Sequence, residues 1–457
     1  MSIIETDNDF EGKIAIIGMS GRFPGAADIT SFWNNLLDNI EGVSHFSEEQ
    51  ISAQFHFKKE NITKDLIKSF GLLGDETLFD ANFFKFSDNE ALITSPQQRL
   101  FLTCAYEALE QSNIVIEDFQ NLIGVYAAVQ TACSTSLVAV HQACNGLLLG
   151  DCDVAIAGGS SVHANPIFSE HMEGGVLSPD GKCKTFDKDA SGTVASNGVG
   201  VVVLKRLEEA VADKDNIVAV LRGTAVNNDG SLKIGFTAPS IQGQANVFTS
   251  ALEVSNTRPE DIEYIETHGT ATELGDPIEV TALNRVYNKG RNRESTCWIG
   301  SVKSNIGHTD AAAGVCGLIK ASLTVRNGVI PANLHFNELN TKIDLSNSCL
   351  NVVSTNQNWE SKKRIAAVSS LGIGGTNAHA IVENFSNQRE RLYPDKQFVF
   401  PISANNKKSL SSLFFKYSNF DYGDTFHEEV AWTLQTGRKS FLHRDYVIAS
   451  SIEELID

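Results

Sequence analysis

Between residues 13 and 383 the chain alternates short apolar runs with longer amphipathic ones, and that alternation restricts it to one broad class of fold. Residues 13–19, 153–157, 198–204, 217–223, 262–267, 297–302, 366–369 and 378–382 read as buried strands. Residues 29–37, 239–252 and 311–325 carry helical spacing. Two more helices announce their starts. One runs over 95–109 with Pro96 in its first turn; the other begins at Asp276, with Pro277 and Glu279 where the helix dipole favours acids. Strands and helices in alternation give a layered α/β fold. No repeat of a few dozen residues recurs, which excludes a solenoid. Gly18, Gly21 and Gly25 do not form a dinucleotide fingerprint, because the spacing is wrong and Pro24 interrupts any helix start.

A chain of 457 residues is long enough for a large core and more than one structural unit. Its formal net charge of −19 makes it a poor nucleic-acid binder, though a local basic patch could still face an acidic partner. Eight scattered cysteines without a C-x-x-C pair read as reduced thiols, not as a disulfide framework or a zinc site. The acidic start, 1–12, is a leader without signal-peptide character. No apolar run approaches the length of a membrane span. Residues 384–396 are polar and aperiodic and mark a boundary. Beyond it, 398–403 and 446–450 read as strands, and 409–417 and 426–434 as helices. The expected organisation is a leader (1–12), a main domain (13–385), and a linker with a small α/β flanking subdomain (386–457).

The chemistry starts at Thr131-Ala132-Cys133-Ser134-Thr135-Ser136. An apolar segment, 122–129, precedes it. A helix follows, with Leu137, Val140, Cys144 and Leu147 at helical spacing and Gly150 to stop it. A cysteine where a strand turns into a helix meets unpaired backbone amides. Those amides favour thiolate over thiol and can hold an oxyanion. The plainer alternative is a buried structural cysteine.

Two histidine motifs lie downstream. One runs Glu266-Thr267-His268-Gly269-Thr270-Ala271-Thr272-Glu273-Leu274-Gly275-Asp276-Pro277; the other runs Gly300-Ser301-Val302-Lys303-Ser304-Asn305-Ile306-Gly307-His308-Thr309. Each histidine follows a strand, at the loop positions where open α/β sheets build their sites. A metal site is the rival use of Cys and His, but no ligand-pair spacing supports one.

These residues resemble the ketosynthase (β-ketoacyl synthase) domains of modular polyketide synthases. The two histidine motifs and the cysteine motif carry the resemblance, together with Gly21-Arg22-Phe23-Pro24-Gly25, Pro96-Gln97-Gln98-Arg99, Leu177-Ser178-Pro179-Asp180-Gly181 and Gly374-Gly375-Thr376-Asn377-Ala378-His379. It spans about residues 13–383. The tail from Phe398 resembles the subdomain that follows such ketosynthases.

The resemblance implies a thiolase-like, five-layer fold of two pseudo-equivalent halves, as a homodimer in the cytoplasm. It implies Cys133 as nucleophile with His268 and His308 as its partners. Lys303 matches a supporting lysine, Glu279 an acid that pairs with it, and Asp276 belongs to the same supporting motif. The backbone amides of Cys133 and Ile373 match the oxyanion donors. Thr270 and Thr272 match contacts to a phosphopantetheine arm. No bound cofactor and no metal are implied; substrates arrive on an acyl carrier protein, beside other polyketide synthase domains. Decarboxylative Claisen condensation of an acyl thioester with a malonyl-type extender is the implied reaction. Two positions depart from the pattern: Ile373, often a gating phenylalanine, and Asn197, often a glutamate. A thiolase is disfavoured because it would use a second cysteine where this chain offers a histidine pair. A non-condensing scaffold that only positions a carrier protein is the alternative of a different class.

One junction is out of pattern. Residues 123–127 and 128–132 match two strands that the family separates by several dozen residues, yet here they run together. Adjacent parallel strands need a crossover of about a dozen residues or more, and 126–130 holds no turn residue. Either a deletion has fused the strands, or the numbering closes over residues the sequence omits. The completeness of the triad favours omission. Omission predicts a break between Tyr126 and Val129, with Cα atoms beyond the roughly 3.8 Å of a trans peptide.

Overall fold

The computed structural model describes residues 10–456 other than 56, 234, 236–238, 290–295, 387–390 and 424. The leader and the linker expected from the sequence therefore fall partly outside the described residues. The chain divides into two units: Met1–Ala108 with Asn121–Phe385, and Leu109–Gln120 with Ser386–Asp457.

The first unit is built on one sheet of ten strands. In chain order they are β1 (Ile14–Arg22), β2 (Ile123–Tyr126), β3 (Val154–Ser161), β4 (Gly198–Arg206), β5 (Ala219–Asn228), β6 (Tyr264–Glu266), β7 (Cys297–Gly300), β8 (Leu350–Val352), β9 (Ile365–Leu371) and β10 (Thr376–Glu383). Across the sheet the order is β8-β7-β6-β9-β10-β5-β1-β4-β3-β2. Its main helices are α1 (Ile29–Leu37), α2 (Pro96–Gln111, which runs on into the second unit), α3 (Thr135–Leu149), α4 (Ile241–Val254), α5 (Gly275–Tyr287), α6 (Lys303–Ile306) and α7 (Ala313–Asn327).

Two halves repeat one design. In the C-terminal half, β5–β10 and β10–β9 pair antiparallel, and β9–β6 and β6–β7 pair parallel. In the N-terminal half, β1–β4 and β4–β3 pair antiparallel and β3–β2 parallel, and there the series stops. The helices α3 and α7 are equivalents. Each has 15 residues, follows one 3₁₀ turn (Ala132–Ser134 or Asp310–Ala312), and ends at a left-handed glycine, Gly150 at φ 77 or Gly328 at φ 67. They pack on each other between the two half-sheets, with α4 and α5 outside one half and α1 outside the other. This is the five-layer thiolase-like α/β fold. Leu137, Val140 and Leu147 of α3 are all but fully buried there. Each contributes about 1.5–3 kcal/mol through apolar burial.

The repeat explains the odd junction. In the C-terminal half, β6 is followed by α5 and β7 before the turn that leads into α7. After β2 no such helix and strand come. The chain continues through 127–131 without regular structure into the cysteine turn. The strand expected over 128–132 does not form, and β2 is left as the sheet edge. Ala132 has φ 55, which is uncommon for a residue with a side chain. Asp310, its equivalent in the other half, has φ 44. The strained turn thus belongs to the repeated design and not to the junction.

In the second unit, β11 (Phe398–Ala404) pairs antiparallel with β12 (His443–Ala449). Helices α8 (Lys407–Ser418) and α9 (His427–Thr436) pack on β11, and α10 (Ile452–Ile456) packs on β12, around buried Phe400, Ala431, Leu434 and Ala449. Among the described residues no helix is long and apolar enough to cross a membrane.

A buried histidine in the sheet gives a pH test of this core. On β10, His379 lies between the Tyr287 hydroxyl at 2.6 Å and Ser369 Oγ at 3.0 Å, and is 1% exposed. Burial pushes it down to about 3. Unfolded, it titrates near 6.5. Its contribution is therefore present above about pH 6.5 and is lost as pH falls toward 3, at about 1.4 kcal/mol per unit. Asp276 and Glu279, pushed up to about 7 by burial, act in the opposite direction over an overlapping range. The variant isolates the histidine. Urea unfolding of His379→Gln at pH 7 and pH 5 should show a pH dependence less steep toward acid than the parent's by about that slope. Equal slopes would reject the buried neutral histidine.

Candidate active site

Three strand ends and two helix starts meet at Cys133. The 3₁₀ turn Ala132–Ser134 places it just before α3. Ser134 Oγ donates to the Thr131 carbonyl at 3.0 Å, the Thr131 amide donates to Thr135 Oγ1 at 3.0 Å, and Ser370 Oγ donates to the Cys133 carbonyl at 2.8 Å. The loop after β9 closes on this turn because residue 372 is glycine. A Cβ there would sit 2.4 Å from the Thr131 carbonyl oxygen and 2.9 Å from Ser134 Oγ. That approach brings Ile373, 36% exposed, to the site. Lys233 donates to the Ile373 carbonyl and ties the loop from the other side.

His268 follows β6, and His308 ends the loop after α6. Their ring centroids are 5.6 Å apart and nearly perpendicular, at 85°. Cys133 Sγ and one ring nitrogen of each histidine all lie within 4.8 Å of one another. The Asp310 amide donates to His308 Nδ1 at 3.0 Å, so the ring proton sits on Nε2. His268 Nδ1 is buried without a hydrogen-bond partner among the described residues. Burial and the charge of Lys303 push His308 down to about 3, and burial with Lys303 and His308 holds His268 well below its ordinary range. Both rings are neutral at pH 7 and can donate a hydrogen bond. A Cys-His-His set is also a possible metal-donor set.

The thiol itself corrects a sequence expectation. Helix-start amides argue for thiolate, yet the Cys133 thiol is held above its ordinary value. Burial is the main cause and the charge of Asp310 adds to it. The amide of Ile373, Lys303 and the cysteine's own amide offset only part. Cys133 rests as a thiol, with the two backbone amides facing it.

The supporting residues hold backbone more than charge. Glu279 accepts the amides of His268 at 2.7 Å and Gly269 at 2.9 Å. Lys303, 3% exposed, acts on Glu279 as a nearby positive charge, and Glu279 spends its oxygens on the histidine loop instead of on a bond to Lys303. Asp276 accepts Ala271 N–H at 3.0 Å and Phe186 N–H at 2.8 Å. Thr270 and Thr272 are half-buried, with their hydroxyls 3.1 Å apart on the same loop. Asn197, fully buried, pins both the amide and the carbonyl of His163 at 2.9 Å. Sequence reading missed Ser370, Asp310, Lys233 and Asn333, whose Oδ1 accepts the Ser301 amide at 3.0 Å. Ser370, Lys233 and Asn333 act on backbone groups, and Asp310 acts through its own amide and its charge on the thiol; none of these leaves a motif.

A half-buried cysteine with two neutral histidines and two convergent amides, on a thiolase-like fold, is a candidate site for cysteine-dependent acyl transfer. Comparison with known proteins agrees. Residues 11–129 and 116–210 match the β-ketoacyl synthase N-terminal domain, 218–337 its C-terminal domain, and 340–448 the ketoacyl-synthetase C-terminal extension. Polyketide synthase PksL of Bacillus subtilis is 35% identical over 500 residues, covering 98% of this chain and 11% of that protein. One chain of the phenolphthiocerol/phthiocerol polyketide synthase of Mycobacterium tuberculosis is 39% identical over 435 residues, 82% of this chain and 29% of that one. Ketosynthase twelve of the bacillaene polyketide synthase of Bacillus amyloliquefaciens superposes with a TM-score of 0.91 at 32% identity, over 98% of this chain and 88% of that one. The module 6 ketosynthase of the bacillaene synthase of Bacillus subtilis gives 0.86 at 35%, over 97% and 84%. The chain belongs to the β-ketoacyl synthase family and is a ketosynthase of the polyketide synthase type.

It spans less than a third of the length of these curated relatives. The N-terminal match comes in two stretches that meet at 116–129, and the 500 residues aligned with PksL exceed the chain's own 457. The relatives carry residues that this chain lacks, and the two stretches meet where the repeat lacks a helix and a strand.

Proposed function

We propose that the chain catalyses chain-extending condensation, with residues 13–385 as the catalytic domain and 386–457 as its flanking unit. The observation that carries the proposal is the convergence of Cys133 Sγ and two neutral imidazoles within 4.8 Å. Cys133 attacks an acyl thioester, and its proton leaves with the departing thiol. The amides of Cys133 and Ile373 hold the oxyanion; one such donor is worth about 10²–10³ in rate. A malonyl-type thioester then loses carbon dioxide, and its enolate oxygen takes hydrogen bonds from His268 and His308. The enolate carbon attacks the acyl-cysteine, a 3-oxoacyl thioester departs, and the released thiolate takes up a proton. Splitting the condensation this way replaces one hard step by two easier ones.

Lys303, Asp276 and Glu279 support the histidine loops, and Thr270 and Thr272 contact the phosphopantetheine arm of an acyl carrier protein. The reaction needs no metal or redox cofactor. Other polyketide synthase domains are its partners, which the greater length of the relatives supports. A cytoplasmic homodimer is its setting.

The test is a pulse of acyl thioester, peptide mapping, then a malonyl thioester with mass detection of the 3-oxoacyl product. Cys133 should be the one cysteine acylated. The other seven are buried, and burial pushes Cys104, Cys144 and Cys316 up to about 12. Label spread over several cysteines, or no extended product, would overturn the proposal.

A further inference from the structure

One fully buried ion pair lies behind the two histidine loops, and none of the roles proposed for the site uses it. Glu266 ends β6, two residues before His268, and is 1% exposed. Its Oε1 accepts the Val302 amide at 2.6 Å; Val302 immediately precedes Lys303. Oε2 accepts the Tyr264 hydroxyl at 2.5 Å and faces Lys320 Nζ at 2.9 Å. Lys320 projects from α7, is wholly buried, and stands 5.9 Å from the Tyr264 ring centroid. One carboxylate therefore joins the strand that delivers His268, the turn that delivers Lys303 and His308, and the helix behind both.

Stability is a poor reason for such a pair. Removing two charges from water costs several kcal/mol each, and an apolar pair of similar volume often serves a core as well or better. An apolar pair cannot accept the Val302 N–H, which would then be buried and unpaired. What the pair does uniquely is fix one histidine loop against the other. That spacing matters for the enolate, which needs both imidazoles at one oxygen. It matters little for loading, which needs Cys133 and two amides.

We propose that Glu266 and Lys320 are positioning residues for the decarboxylation half-reaction, holding the His268 loop in register with the Val302–His308 loop. The inference rests on the ketosynthase reading above.

The test uses the chain as it stands with Glu266→Gln, Lys320→Met and the double variant. Three quantities are read: acylation of Cys133 by an acyl-N-acetylcysteamine thioester, carbon dioxide release from malonyl-N-acetylcysteamine, and melting temperature. Each single variant should slow carbon dioxide release about tenfold to a hundredfold, as a misplacement of about 1 Å can. Acylation should stay within about twofold of the parent. The double variant, which leaves no unpaired charge, covers the case in which a single variant fails to fold. It should melt near the parent and still release carbon dioxide slowly. Parallel loss of both half-reactions in a well-folded double variant, or a parental rate of carbon dioxide release in it, overturns the proposal. Failure of the underlying reading has a different signature, because the unaltered chain would then neither load Cys133 nor release carbon dioxide, and both would fall together.

Discussion

Cys133→Ala is expected to abolish acyl loading and, with it, extension, by at least about 10⁴-fold, the scale at which nucleophile removal acts in acyl-transfer enzymes. No second thiol can substitute. Cys144 and Cys316 are buried on α3 and α7, and Cys183, pushed up to about 11 by burial, is 2% exposed. The exchange should leave the fold alone, because the turn is held by bonds of Ser134, Thr131 and Ser370 that do not involve the thiol. Intact-protein mass after an acyl-thioester pulse reads loading, and product mass after a malonyl thioester reads extension. A variant that still gains an acyl group, with its melting temperature unchanged, would move the nucleophile elsewhere.

Much of this site was legible because its chemistry sits in contiguous motifs. The cysteine turn, the helix with Gly150 at its end, and both histidine loops are local features, and local spacing reveals them. Long-range effects were not legible. The amides around Cys133 argued for a thiolate, but burial and the charge of Asp310 outweigh them, and both depend on tertiary packing. Lys320 reads as an ordinary helix lysine until β6 places Glu266 against it. Two short helices carry their own local start signals. Ser47 with Gln50 and Ser87 with Glu90 form capping boxes that start the helices Glu48–Gln54 and Asp88–Ile93. Strand β1 also runs on to Arg22, three residues past the 13–19 span read from the sequence, with an irregular register between Ile16 and Gly18. The absent helix and strand after β2 show in the sequence as a missing crossover, and in the fold as a missing counterpart to α5 and β7.

His268→Ala and His308→Ala should each reduce condensation by about 10²–10⁴-fold while leaving Cys133 able to load, which separates the two half-reactions. Loading needs the thiol and the two amides. Extension needs hydrogen-bond donors at an enolate oxygen that does not exist until carbon dioxide leaves. The two rings are not held alike. His308 has its proton fixed on Nε2 by the Asp310 amide, whereas His268 Nδ1 has no hydrogen-bond partner among the described residues. The same arrangement fixes the pH response. Because His308 is pushed down to about 3, and His268 lies well below its ordinary range, neither should gain a proton between pH 8 and pH 5. Single-turnover extension from preloaded enzyme should therefore show no acid limb near 6.5 set by either ring; a limb set by Asp276 or Glu279, which burial pushes up to about 7, would persist in both histidine variants. A limb there that disappears in His268→Ala or His308→Ala would mean that the ring titrates in the working enzyme and donates from a charged state. Loading lost in step with extension in both variants would instead assign the histidines to activation of the thiol.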